Sequence, residues 1–78
     1  MSYKSFPNPV RVLARQSQET IISTAWDAAE FLRRWPGTRG RAYRVAVQHC
    51  LDALDGIRPA KAAYRSFTAA AREAGILA

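Results

Sequence analysis

PVRVLARQSQETIISTAWDAAEFLRRW, residues 9–35, changes its hydrophobic period part-way along, and that change decides the fold. Val10, Val12 and Ala14 alternate with Arg11, Leu13 and Arg15, the period-two pattern of a strand with one buried face. Gln16-Ser17-Gln18 is polar enough to turn the chain, and Glu19-Thr20-Ile21-Ile22-Ser23 supplies β-branched residues for a return strand. From Thr24 the spacing becomes helical: Ala25, Ala28, Ala29, Leu32 and Trp35 recur at i, i+3, i+4, i+7 and i+10. Thr24-x-x-Asp27 has the form of a capping box, with Asp in place of the commoner Glu. Pro36 and Gly37 end this helix.

Beyond the corner, Thr38 is expected to cap a second helix running to about Asp55. Arg41, Arg44, Gln48, Asp52 and Asp55 form its solvent face, and Tyr43, Val47, Cys50 and Leu54 the opposite side, with Ala46, Ala53 and Leu51 beside it. This strong patterning marks it as the central helix. Gly56-Ile57 has the form of a Schellman stop, in which the apolar residue packs back on the helix end. Pro59 suits the first turn of a third helix, whose stripe is Ala60, Ala63, Tyr64, Phe67, Ala70, Ala71 and Ala74. Gly75-Ile76 repeats the stop, and Ile76-Leu77-Ala78 forms a short edge strand. Residues 1–8, with Pro7 and little periodicity, read as an extended N-terminal arm, and residues 9–78 as a single α+β domain. The expected architecture is ββααα, a small hairpin covered on one face by three helices.

In this order, Trp35-Pro36, Cys50-Leu51-Asp52-Ala53-Leu54-Asp55-Gly56 and Phe67-x-x-Ala70-Ala71-x-Glu73-Ala74-Gly75-Ile76, preceded by Ala28-Ala29, resemble the domain of unknown function family 982. Its members are short bacterial proteins, and the likeness spans roughly residues 9 to 77. The resemblance implies a free-standing domain. It implies no activity, ligand or site residues, because the family has none established.

Composition narrows the function classes. A chain of 78 residues buries only about 60% of the surface that its unfolded form exposes, so well-capped helices or a homodimer are expected to supplement a thin core. Lys and Arg number 12 against 6 acids, a net charge of +6, and arginine supplies all but Lys4 and Lys61 of the cations. That field favours polyanions, and the guanidinium fork suits phosphate. One cysteine excludes an intrachain disulfide and fits the reducing cytoplasm. MSYKSFPNP has no apolar core of a secretory signal, and no apolar run approaches the roughly 20 residues of a membrane span.

No residue pattern calls for a cofactor, a metal or catalysis. His49 and Cys50 are adjacent and project about 100° apart on a helix, so they do not face each other as a dyad. His49 and Asp52 are spaced for a hydrogen bond, but Ser17, Ser23 and Ser66 have turn, cap or helix-surface roles. The remaining feature is RRWPGTRGRAYR, residues 33–44, with five arginines and no acid. Arg33 and Arg34 suit the end of the first helix, whereas Arg39, Arg41 and Arg44 oppose the dipole at the start of the second. Three readings stand: a solvated rim around core aromatics Trp35 and Tyr43, an anion or nucleic-acid contact made by Arg33, Arg34, Arg39, Arg41 and Arg44, or a contact with an acidic protein partner. The expected function is a non-enzymatic protein-interaction domain that self-associates, with a nucleic-acid-binding accessory protein as the alternative.

Overall fold

The computed structural model describes residues 5–13, 18–36 and 39–77. Their elements run β1 (Ser5–Leu13), β2 (Glu19–Thr24), α1 (Ala25–Arg33), α2 (Arg41–Leu54) and α3 (Ala60–Glu73), the expected ββααα order. β1 and β2 pair antiparallel, with Val10 opposite Ile22 and Val12 opposite Thr20. Val10, Val12 and Ile22 are buried while Arg11, Leu13 and Ile21 are exposed, so the period-two pattern is an alternation of sheet faces. Residues 14–17, which include Ala14 and most of the expected turn, lie outside the described residues.

The N-terminal arm is corrected from Ser5 onward, because β1 already begins there and Phe6 is buried. Ser5 lies opposite Thr24 and Val10 opposite Ile22, so five residue steps of β1 face two of β2. Pro7 and Pro9 fall inside that irregular stretch. Proline has no N–H for the ladder and is accepted in a strand at a bulge or an edge, which is how a proline-rich segment enters the sheet here.

α1 starts on Thr24, whose Oγ1 accepts from the Asp27 N–H at 3.0 Å. The reciprocal carboxylate bond goes one residue further back than a capping box requires: Asp27 Oδ2 accepts from the Ser23 N–H at 3.3 Å. α2 differs from expectation. Its N-cap is Gly40, whose carbonyl accepts from the Arg44 N–H, so Arg39 precedes the helix instead of lying in its first turn. Thr38, the expected cap, lies outside the described residues. Pro59 is likewise the N-cap of α3 and not its first helical residue.

Both Gly-Ile stops are Schellman motifs. Gly56 (φ 78°) and Gly75 (φ 73°) take the left-handed conformation. Ile57 N–H donates to Asp52 O at 2.8 Å, and Ile76 N–H to Ala71 O at 3.0 Å, satisfying carbonyls that the helix ends leave open. Their apolar partners part company. Ile76 packs on the core, whereas Ile57 is 70% exposed and does not fold back. After Ile76 the chain meets the outer side of β1: Leu13 N–H donates to Ile76 O at 2.7 Å and Leu77 bridges Val12 antiparallel.

α3 packs against β1, α2 and α1, and α1 also against β2, while α2 packs on the other two helices and lies away from the sheet. The central helix is therefore α3 and not α2. Small residues explain the difference: α2 presents Ala46, Cys50 and Ala53 to the interior, which let it approach closely but fill little volume. α3 presents Phe67, fully buried, with ring centroids of Trp35, Phe31 and Phe6 at 6.0, 6.1 and 6.4 Å. Phe67→Ala is expected to cost about 3–5 kcal/mol, comparable with the whole stability of a small domain, roughly 5–15 kcal/mol. Its circular-dichroism melt should shift far down or lose cooperativity, while Ile57→Ala should stay within about 0.5 kcal/mol of wild type.

Candidate functional site: the arginine corner and the α1–α2 groove

The corner between α1 and α2 is built on aromatic packing. Trp35 is only 6% exposed and meets Phe31 edge-on at 5.6 Å and Tyr43 at 5.6 Å. Tyr43 lies against the core and its hydroxyl donates to Leu32 O at 2.8 Å. That carbonyl belongs to the last turn of α1, where the helix itself supplies no donor, so α2 caps α1 through a side chain. Both aromatics of the arginine-rich stretch are core anchors.

The five arginines do not form one patch, and only Arg34 and Arg39 line the same depression. Arg33 forms an exposed pair with Glu30 at 3.6 Å. Arg34 is the C-cap of α1 and shares a cleft with Arg39, whose guanidinium lies 5.4 Å from the centre of the Tyr43 ring. Arg41 lines a different depression with Arg65 and Glu73, and Arg44 is exposed. α2 has no acid in its first turn, but Glu73 reaches it from α3: Oε1 lies 3.5 Å from where a Cβ on Gly40 would sit. A carboxylate at this helix N-terminus offsets the misplaced cations.

A second surface was not legible from the apolar stripes. A groove of about 310 Å³ runs between α1 and α2, lined by Trp26, Leu32, Tyr43, Val47, Leu51 and Leu54 among others. Trp26 and Leu51 are each 48% exposed at this groove. Leu51, expected beside the apolar side of α2 with Ala46 and Ala53, is corrected to half-exposed, and Trp26 follows the buried Ala25 and lies off the α1 stripe. The rim carries Glu30 and Arg33.

The residues with chemical potential have structural partners. Burial pushes the Cys50 thiol up to about 12, leaving it protonated and poorly nucleophilic. His49 Nδ1 contacts Ser66 Oγ across the α2–α3 contact, so Ser66, expected at the helix surface, is half-buried and has a side-chain partner. A serine in mid-helix is surrounded by backbone N–H groups already committed to helix bonds, so no oxyanion donors stand beside it. Among the described residues no group of three or more His, Cys, Asp or Glu side chains is placed to hold a metal ion.

Asp52, assigned to the solvent face by its spacing, is buried instead. Arg58 Nε donates to Oδ2 at 2.9 Å and Gln48 Nε2 to Oδ1 at 2.9 Å, while its carbonyl accepts from Ile57 N–H. The Arg58 guanidinium holds this carboxyl below the usual carboxylate range, against the opposing effect of burial. A lowered folded pKa contributes stability above the unfolded value of about 3.9, and the contribution is lost as pH falls through the folded value. Asp52→Asn should therefore lower the melting temperature at about pH 7, with the gap to wild type narrowing as pH falls below the unfolded value of about 3.9. A gap independent of pH would assign the effect to packing alone.

Comparison with curated proteins and with solved structures returns no match. The family model described as "Protein of unknown function (DUF982)" matches residues 8–78, nearly the whole chain and every element from the proline bulge of β1 to the Leu77 bridge, and the chain belongs to that family.

Proposed function

We propose that the chain is a small non-enzymatic interaction domain that self-associates through the α1–α2 groove. The observation that carries this reading is the groove itself: an apolar recess, a half-exposed indole at Trp26, and rim charges of both signs at Glu30 and Arg33, all on one face. A second copy related by a two-fold axis presents the same features in reverse, so the face is complementary to itself. Its burial adds apolar area to a core that is thin at this chain length. The rim charges are exposed and add little, and apolar burial supplies the affinity.

The protonated Cys50, the absence of free backbone donors beside Ser66 in mid-helix and the Asp52–Arg58 pair support a non-catalytic role. The cytoplasm is the compartment we assign, on the single cysteine. No helix is long and apolar enough to cross a membrane among the described residues. The nucleic-acid alternative draws on net charge, but Arg33, Arg34 with Arg39, and Arg41 line three separate depressions.

Light scattering tests the reading. Wild type should be a dimer at about 100 μM, a modest affinity for a small interface, and Leu51→Glu should be monomeric with an unchanged far-UV spectrum. Association should persist or strengthen with salt, because chains of net charge +6 repel one another and screening relieves that repulsion. A wild-type monomer at that concentration sinks the proposal. Binding to duplex DNA with a log–log salt slope near −0.9 per phosphate would favour the alternative instead.

A further inference from the structure

We propose that the cleft between the β2 edge and the corner after α1 binds a phosphomonoester carried on a flat apolar body, the chemistry of a free mononucleotide. The cleft measures about 650 Å³ and is lined by Gln18 and Thr20 from the β2 side, Arg34 and Arg39 from the α1–α2 connection, and Trp35 with Pro36. This is the size range of small-ligand sites, about 300–1,000 Å³. It lies apart from the α1–α2 groove and does not depend on self-association.

Charge selects the ligand class. Arg11, Arg33 and Arg58 each meet a carboxylate, whereas among the described residues neither Arg34 nor Arg39 does. The end of α1 accounts for a cation at Arg34. It does not account for Arg39, which precedes the N-cap of α2, where the helix dipole is unfavourable to it. A phosphomonoester carries about −1.5 to −2 near neutral pH, matching two guanidinium groups where a carboxylate would leave one uncompensated. Stacking of Arg39 on Tyr43 restricts its side chain beforehand and lowers the ordering cost of binding. Thr20 and Gln18 add neutral hydrogen-bonding groups.

The apolar part of the cleft sets what is not recognised. Trp35 is 6% exposed, too little for a stacking face, and Pro36 supplies the exposed apolar surface. Such a surface accepts a planar ring without reading its polar groups. The phosphate is therefore required and the identity of the base is not.

Calorimetric titration of the full chain with AMP, CMP, adenosine and inorganic phosphate tests this. AMP and CMP should bind saturably within about threefold of each other, with adenosine and phosphate at least about tenfold weaker. Arg34→Gln with Arg39→Gln should weaken AMP binding at least about tenfold, while the charge-matched Lys61→Gln with Arg72→Gln leaves it within about twofold. Should the double variant fail to fold by circular dichroism, the two single variants carry the comparison, each expected to weaken AMP about threefold. Absence of saturable AMP binding up to about 5 mM, inorganic phosphate binding as tightly as AMP, or an equal loss in the Lys61/Arg72 control would overturn the proposal. So would binding of a single-stranded oligonucleotide in the absence of AMP binding.

Discussion

The structure depends on one side chain being reachable from three directions. Phe67 sits mid-way along α3, and the rings of Phe6 from β1, Phe31 from α1 and Trp35 from the corner all close on it. Tilted and edge-on geometries predominate, which suits the quadrupoles of the rings. The rest of the buried set is small, with alanine supplying seven of its members: Ala25, Ala28, Ala46, Ala53, Ala63, Ala70 and Ala71. Alanine lets helices come close but brings little apolar area of its own. Large rings must therefore supply the volume, and their meeting point fixes where each helix lies.

Polar contacts then lock the helix ends that this packing brings together. Tyr43 donates to an open carbonyl of α1, Arg58 reaches back from the α2–α3 turn to Asp52, and Glu73 lies beside the start of α2. Each joins elements distant in sequence or closes a connection that a small core leaves exposed to fraying. The same arrangement separates the arginines. Because Trp35 and Tyr43 turn inward, the cations that flank them are carried to different depressions, and only Arg34 and Arg39 come to share one.

Local chemistry explains which readings of the chain were reliable. Period-two alternation over Val10–Leu13 and the Thr24 cap depend on neighbours within four residues, and both are found as expected. The two Schellman glycines depend only on the left-handed backbone they permit. Phe6 was not legible, because flanking prolines oppose a regular ladder, and only the bulge opposite β2 admits them. Asp52 was assigned outward by spacing, and Arg58, six residues on, turned it into a buried ion-pair acceptor. Ile57 was assigned inward by its motif and stands in solvent.

The amino-acid sequence by itself determined the α+β class, the order of strands and helices, the helix stops and the family, because periodicity, caps and left-handed glycines act over a single turn or strand. Tertiary structure alone decided that α3 and not α2 is central, that Trp35 is buried while Trp26 borders an open groove, and that Arg34 and Arg39 share a cleft with β2. Those outcomes depend on which large ring fills the space between alanine faces, and a contact between residues sixty positions apart leaves no period in the chain.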